Sequence, residues 1–312
     1  MATVKAATRN FYEAAVVRAV ARVVGSLDLA LDLEALAREA ALSAFHFHRV
    51  FRGLVGETPL ELHRRLRMER AAEQLGHARA SVIAVAFQAG YETHEAFTRA
   101  FRERYGVSPS AFRARAADAL HTCHGPAVAL PTRCGLHVRA GRVDLDPLTL
   151  TTGDTTMDVT IEDLPQRRLA TVRHVGPYAE IAAAFHRLGA LAVEHGLAAR
   201  VEPAMLALYH DDPETTPAAQ LRSDAALVVR DQLALPPGVV EVAVPAGRYA
   251  RTTHRGSYAG LGDTWARLMG GWLPGSGARL GPGPSFEVYV NDPRTTPTAE
   301  LLTDLYVPLA DG

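Results

Sequence analysis

Apolar side chains recur at helical spacing through the first third of the chain. The first such run, residues 11–24, predicts an amphipathic helix. A second helix is predicted over residues 33–40, and a third follows a short turn, from an N-cap at Ser43 to about Gly53. Helix, short turn and helix is the arrangement that places a second helix in the major groove of DNA.

The same pattern returns 50 residues later. The offset carries Phe47-His48-Arg49-Val50-Phe51-Arg52 onto Phe97-Thr98-Arg99-Ala100-Phe101-Arg102. In this second copy Ser81 caps a predicted helix over 82–88, and Thr93 opens another that ends near Gly106. A fixed offset of this kind marks a duplicated structural unit, so we expect two helix-turn-helix units.

A helix of suitable length joins the two units. Thr58-Pro59-Leu60-Glu61 combines an N-cap, a proline at the first helical position and a glutamate three residues after the cap. The predicted helix runs to Leu75 and measures about 27 Å at about 1.5 Å per residue. Successive major-groove faces of B-DNA lie about 34 Å apart, so one chain could present two reading helices.

Helical geometry at about 100° per residue assigns one face of each reading helix to the core and the opposite face to DNA. Arginine can bind guanine or phosphate and glutamate can accept from cytosine, and the sequence leaves open which of these each residue does. The alternative is that these arginine-bearing faces are simply exposed to solvent and bind nothing. The presence of two matched copies disfavours this alternative. The predicted core faces hold Phe47, Val50, Phe51 and Leu54, and Phe97, Ala100 and Phe101. The predicted reading faces hold Phe45, Arg49 and Arg52, with His46 and His48 at the margins, and Glu95, Arg99 and Arg102, flanked by His94 and Thr98.

The second half of the chain repeats itself at an offset of 80. The shift carries Arg168, Ala170, His174, Gly176 and Tyr178 onto Arg248, Ala250, His254, Gly256 and Tyr258. Each copy predicts a strand, a Gly-x-Tyr turn, a helix and two further strands. In the first copy these are strand 169–175, helix 178–194 and strands 205–209 and 225–229. So short a unit cannot bury a sheet face alone, and we expect the copies to join about a pseudo-two-fold axis with a pocket at their junction.

The copies differ at positions that bear on chemistry, among them Ala192 of the first copy, which is Trp272 in the second. Ala207 of the first copy is Glu287 in the second, within the apolar run Phe286-Glu287-Val288-Tyr289-Val290. A buried carboxylate is costly to ionise without a cation or donors, so an amphiphilic cationic ligand is predicted. The alternative is that Glu287 points to solvent and the aromatic residues form core. The candidate ligand-binding residues are Tyr178, Tyr209, Tyr258, Trp265, Trp272, Phe286, Glu287 and Tyr289.

Composition and charge add to this division. The chain has 312 residues, 48% of them hydrophobic and 21% charged, which is typical of globular domains. Residues 1–118 carry a net charge of +4 and the rest −5, a weak indication of nucleic acid binding by the first part. We see no membrane span or signal sequence and expect a cytoplasmic protein.

Residues 118–157 read as an irregular linker between domains. Its His121-x-Cys123-His124 and Cys134-x-x-His137 raise a zinc hypothesis, but the spacing is not that of a zinc finger. Chance polar residues in a loop are the favoured interpretation. No metal or other cofactor is therefore predicted.

The run from Leu33 to Arg113 resembles the DNA-binding domain of AraC/XylS-type transcription regulators. The resemblance rests on Gly56-x-Thr58-Pro59, Ile83-x-x-x-Phe87-x-x-Gly90-Tyr91 and Gly106-Val107-Ser108-Pro109. Phe87 is bulkier than is common there, which should alter packing more than recognition. The resemblance implies base and phosphate contacts at Phe45, His48 and Arg49, and at Thr93, His94, Thr98 and Arg99.

Residues 158–309 resemble the GyrI-like effector-binding domain of multidrug-sensing regulators. The resemblance rests on Arg173-His174-Val175-Gly176-Pro177-Tyr178 and on Phe286-Glu287-Val288-Tyr289-Val290-Asn291-Asp292-Pro293. It implies two SHS2-like βαββ modules around a ligand cavity, with an acidic residue that matches Glu287. Some members resemble hydrolases of reactive small molecules.

The sequence thus predicts a multidomain fold. An all-α double helix-turn-helix domain (1–117) and a linker (118–157) precede an α+β domain of two pseudo-symmetric SHS2-like βαββ repeats (158–312). We expect a non-enzymatic transcription regulator that binds a double-stranded DNA operator and a small-molecule effector and contacts RNA polymerase. The alternatives are a GyrI-like hydrolase or a protein that sequesters toxic small molecules. The chain has no Gly-x-Ser-x-Gly elbow or His-Glu-x-x-His site, which disfavours an enzyme.

Overall fold

The computed structural model describes residues 2–77, 80–119, 128–150, 157–196, 201–211, 216–229 and 234–310. They divide into two compact units that are not simply the two halves of the chain. The first, the sheet unit, comprises the described residues of Met1–Tyr12, Leu42–Gly53 and Thr152–Gly312. The second, the helical unit, comprises those of Glu13–Ala41 and Leu54–Thr151.

Seven helices account for most of the described residues up to Ala119. Their lengths follow the predicted boundaries closely, except that the first begins earlier and the third continues past Gly53. They are α1 (Ala2–Gly25), α2 (Leu33–Glu39), α3 (Ala44–Val55), α4 (Pro59–His77), α5 (Val82–Gln88), α6 (His94–Tyr105) and α7 (Pro109–Ala119).

Side-chain caps fix where these helices begin. The Asp32, Ser81 and Thr93 side chains accept backbone N–H bonds at the starts of α2, α5 and α6. Thr58 and Glu61 form the predicted capping box before α4, with Thr58 N donating to Glu61 Oε2 at 2.9 Å and Glu61 N to Thr58 Oγ1 at 3.1 Å.

An aromatic cluster holds the second helix-turn-helix within the helical unit. Phe97 and Phe101 are fully buried on α6, with ring centroids 5.5 Å apart. Phe101 also meets Phe112 of α7 edge to face at 5.4 Å. The core face predicted for α6 is therefore the buried one.

The described part of the expected linker packs against α4 and is not a bare connector. It contains a two-stranded hairpin, β1 (Val138–Arg139) and β2 (Arg142–Val143). Glu69 of α4 is fully buried and accepts from the Leu130 and Val138 backbone N–H groups at 2.8 and 2.9 Å. Local sequence patterns did not predict this packing, because it depends on the Glu69 carboxylate, which is distant in sequence from the segment that it binds.

The sheet unit is built on one antiparallel sheet. Its eight described strands lie in the order β3-β8-β10-β9-β5-β6-β4-β7. They are β3 (Thr160–Leu164), β4 (Arg167–Val175), β5 (Val201–Tyr209), β6 (Arg222–Val229), β7 (Val240–Val244), β8 (Gly247–Arg255), β9 (Phe286–Tyr289) and β10 (Leu302–Pro308).

The offset of 80 reappears in the strand register. Leu169 of β4 pairs with Val228 of β6, and the positions 80 residues later, Tyr249 and Pro308, pair between β8 and β10. β5 and β9 join the two halves at the centre of the sheet.

Two outer strands, β3 and β7, were not predicted. Each pairs with the long strand of the other repeat, β3 with β8 and β7 with β4. Only Leu164 and Val244, at their ends, are buried, so their hydrophobic pattern is too weak to indicate a strand. These two pairings join the repeats at both edges of the sheet.

The two faces of the sheet bury different clusters. One face carries Leu206, Leu208 and Phe286 in an apolar cluster. The other face is covered in part by α8 (Ala182–Glu194), whose Ala184 and Leu188 pack with Ala207. No helix among the described residues has the length and apolar character needed to cross a membrane.

Candidate effector-binding and DNA-reading sites

Glu287 is buried at the centre of the sheet. It lies on β9, directly opposite Ala207 of β5, and its side chain is 2% exposed. Trp265 Nε1 donates to Glu287 Oε1 at 2.7 Å, and the Tyr289 hydroxyl donates to Oε2 at 3.2 Å. Trp265 comes from α9 (Leu261–Ala266), so this helix and the sheet hold the carboxylate together.

Burial and nearby groups act in opposite directions on this carboxyl. Burial raises the pKa of Glu287, while the bond from Trp265, the charge of Arg49 and the bond from Tyr289 lower it in part. A positive charge at this place therefore favours the ionised form.

Tyrosine rings form one wall of the site. The Tyr209 and Tyr289 hydroxyls are hydrogen-bonded at 3.0 Å, and Tyr178 meets the Tyr209 ring edge to face at 4.7 Å. Tyr258 and Phe185 lie edge to face on Tyr289 at 5.3 and 5.6 Å. Burial raises the pKa of Tyr209 and Tyr289 well above the ordinary value, so both phenols are donors at neutral pH.

Two predicted ligand residues lie elsewhere. Phe286 is on the opposite sheet face, where its ring stacks on Tyr306 at 4.8 Å, because successive strand residues point to opposite faces. Trp272 is half-buried in a π-helical segment, Arg267–Trp272, that follows α9. The structure does not bring Phe286 to Glu287, while Trp265 contacts it directly.

The face of α3 predicted to read DNA is covered within the sheet unit. Phe45 is only 5% exposed and meets the Trp265 ring edge to face at 5.8 Å. His46 Nε2 is hydrogen-bonded to Ser285 Oγ at 2.8 Å, and Arg52 Nη2 pairs with Asp263 Oδ1 at 2.8 Å. The expectation that this face lies free opposite the core is wrong for Phe45 and for His48, which is 7% exposed. A helical pattern predicts the faces of a helix but not what packs on them.

Arg49 is the site residue that sequence reasoning placed elsewhere. Its guanidinium carbon lies 3.5 Å from the centroid of Phe45 and 5.0 Å from that of Trp265. Its charge lowers the pKa of Glu287. No sequence signal linked Arg49 to Glu287, because the two are 238 positions apart.

The reading face of α6 lies at the surface of the helical unit. Glu95, Arg99 and Arg102 are exposed, as helical spacing predicted, and His94 and Thr98 are half-buried. Thr93 is exposed and caps the helix through a bond from Ala96 N at 3.1 Å. The DNA contacts of both helices stay a prediction.

The zinc hypothesis falls partly outside the described residues, which exclude His121, Cys123 and His124. Cys134 is buried, and its thiol donates to Glu57 Oε1 at 3.3 Å. His137 Nδ1 is hydrogen-bonded to Glu69 at 3.0 Å. Within the described ranges, no group of three or more metal-ligating side chains is arranged to hold a metal ion.

Two family models match successive parts of the chain. A helix-turn-helix domain matches residues 36–115, and a GyrI-like small molecule binding domain matches residues 157–310. The second match contains the Glu287 site, and the first contains α3 and α6.

Three similar proteins span these regions. A DNA gyrase inhibitor of Yersinia enterocolitica is 38% identical over 139 residues, which cover 43% of this chain and 86% of that protein. An HTH-type transcriptional regulator of Mycobacterium tuberculosis is 42% identical over 78 residues, which cover 25% of this chain and 30% of that protein. The cryo-EM structure of an EcmrR–DNA complex aligns with a TM-score of 0.42 and 14% identity, over 90% of this chain and 99% of that one.

The chain therefore belongs to the GyrI-like family and joins its small-molecule-binding domain to an AraC-type helix-turn-helix DNA-binding domain, the composition of a ligand-responsive transcription regulator.

Proposed function

We propose that this regulator binds an amphiphilic organic monocation against Glu287 and thereby changes its action at a double-stranded DNA operator. The observation that supports this most strongly is a carboxylate that is 2% exposed and held by two side-chain donors. Donors alone stabilise its charge only in part, and a cation of the ligand would offset the rest of the desolvation cost.

The surroundings of Glu287 favour a cation that carries apolar surface. Tyr209, Tyr289 and Trp265 present ring faces and edges next to the carboxylate, and Tyr178 and Tyr258 extend this aromatic wall. Aromatic faces attract cations and also bury apolar groups. An inorganic cation would leave this wall unused.

Binding is favoured over hydrolysis at this site. A hydrolase that used Glu287 with a tyrosine nucleophile would need a phenol that ionises readily. The raised pKa of Tyr209 and Tyr289 holds both protonated, so they serve as hydrogen-bond donors. The site is suited to recognising a ligand rather than to attacking it.

The DNA side of the proposal assigns sequence reading to α3 and α6. Their arginines, Arg49, Arg52, Arg99 and Arg102, would contact bases or phosphates, and contact with RNA polymerase in the cytoplasm would follow at the promoter. The helix-turn-helix match and the similarity to transcriptional regulators support this assignment.

Two ions of nearly identical shape and opposite charge test the ligand chemistry. We expect the full chain to bind tetraphenylphosphonium and to reject tetraphenylborate in calorimetric titrations. Glu287→Gln should weaken phosphonium binding about tenfold or more, since it removes the charge and keeps the shape. Glu194→Gln, at an exposed position, is the matched control. Equal binding of both ions, or equal affinity of the Glu287→Gln and Glu194→Gln variants, would contradict the proposal.

A further inference from the structure

Helix α3 packs on the Glu287 site along two of its turns. His46 reaches Ser285, the residue before β9, and Arg52 pairs with Asp263 of α9. On the same side of the helix, Phe45 and Arg49 lie on the Trp265 ring. We call this arrangement the docked state of α3.

A glycine allows the backbones to approach closely in the docked state. A Cβ atom added to Gly53 would overlap the carbonyl oxygen of Ala266 and the Cα atom of Gly270. Both atoms belong to backbone, so no side-chain rotation could relieve the overlap. Any larger residue at position 53 would force α3 away from the π-helical segment.

Arg49 already supplies a cation to the site. Its guanidinium stacks on Phe45 and lies over Trp265, the same residue that donates to Glu287. A ligand cation beside Glu287 would be held by the same carboxylate and the same rings. Two positive charges at one buried carboxylate repel each other, so the two occupants exclude one another.

The docked state also hides a reading helix. Phe45 is 5% exposed and lies against Trp265, so this part of α3 cannot lie against DNA while it is docked. The same face of α3 therefore packs on the effector site in the docked state and would contact DNA when released.

We propose that Arg49 is a tethered competitor of the effector: a cationic ligand displaces it from the Glu287 site, α3 undocks, and the first reading helix becomes available to DNA. The inference rests on the proposed function, because it takes the ligand to be a cation bound at Glu287. It adds the direction of regulation, in which effector binding raises operator affinity. By linkage, operator DNA must raise effector affinity by the same factor.

A charge-neutral variant tests the competition. Gly53→Leu should destabilise the docked state and raise tetraphenylphosphonium affinity about tenfold or more, because the ligand no longer has to displace α3. Gly189→Ala is the control, since a Cβ there meets open space. Hydrogen exchange of the α3 amides should accelerate on adding phosphonium to the wild-type full chain and should already be fast in Gly53→Leu.

A second variant covers the case in which Gly53→Leu fails to fold. Asp263 is 77% exposed, and Asp263→Arg would repel Arg52 without filling space. It should also raise phosphonium affinity, and adding Arg52→Asp should reverse the gain by restoring the ion pair. Such a reversal would show that the gain in affinity comes from loss of the Arg52–Asp263 ion pair and not from a general change in charge.

The outcomes distinguish the two proposals. Glu287-dependent phosphonium binding with unchanged α3 exchange, and unchanged affinity in Gly53→Leu or Asp263→Arg, would overturn the competition and leave the proposed function standing. Absence of Glu287-dependent binding would overturn both. Faster α3 exchange with ligand, higher affinity in the undocking variants and reversal by Arg52→Asp would support the competition.

Discussion

Ala207 and Glu287 face each other across the central strand pair of the sheet, although they are equivalent positions of the two 80-residue repeats. Both side chains are buried, at 0% and 2% exposure. If both copies carried the same residue at this position, the two equivalent side chains would lie opposite each other. The difference between the copies at this position therefore puts one carboxylate, and not two, at the centre of the site.

A second carboxylate at position 207 should destabilise the fold. Ala207→Glu would place this second carboxylate directly opposite Glu287, at about 5 Å between Cβ atoms. We expect a loss of about 3 kcal/mol or more in the free energy of unfolding by urea at neutral pH. Ala207→Gln has nearly the same shape without the charge and separates repulsion from crowding. Equal stability of the two variants would show that charge at this position does not matter.

Arg99→Ala should weaken operator binding about tenfold, because an exposed arginine on the reading face of α6 would lose a base or phosphate contact. The operator can be selected from random DNA with the full chain, and affinity measured over a range of salt concentrations. Loss of a phosphate contact would also lower the salt slope by about one. Arg142→Ala removes an equal charge from the exposed tip of the β1–β2 hairpin. The role of α6 would be refuted if both variants bound as the wild type does.

Acidification should weaken the docked state of α3 through His46. Burial, with a smaller contribution from the charge of Arg49, lowers the pKa of His46 from 6.5 to about 4. A histidine whose pKa is depressed in the fold is neutral there and gains a proton on release. Its contribution is therefore present above pH 6.5 and is lost progressively between pH 6.5 and about 4.

The measurement compares wild type with His46→Gln, which retains a polar partner for Ser285. Their difference in free energy of unfolding should shrink by on the order of 1 to 3 kcal/mol between pH 7 and pH 4.5. A difference that stays constant with pH would show that the pKa of His46 is the same in the fold as in the unfolded chain.

Glu69→Gln should destabilise the helical unit by about 2 to 4 kcal/mol, because Glu69 is fully buried and shares Arg65 with Glu57. It also holds the Leu130 and Val138 backbone, so residues 128–139 should become susceptible to proteolysis. Glu73→Gln is a close control on the same helix, since Glu73 binds the exposed hairpin backbone at Ala140 and Gly141. Similar losses in both variants would mean that burial adds nothing to the Glu69 contacts.

Local sequence determined most of the secondary structure. Capping residues such as Thr58 and Thr93 act within three residues of themselves, so helix starts could be predicted closely. The offsets of 50 and 80 predicted the duplications, and the alternation of β9 placed Glu287 and Tyr289 on one face. Strands β3 and β7 were not predicted, because edge strands bury few side chains and therefore show little alternation of hydrophobic and polar residues.

The tertiary structure decided what covers each face. The sequence determined that α3 has a core face and an arginine-bearing face, and that Glu287 breaks an apolar strand. Only the fold brought Arg49 over Trp265, with Phe45 beside it. Helical and strand periods arise from backbone geometry between near neighbours, whereas the contact of Arg49 with Trp265 beside Glu287 depends on long-range packing that no local pattern encodes.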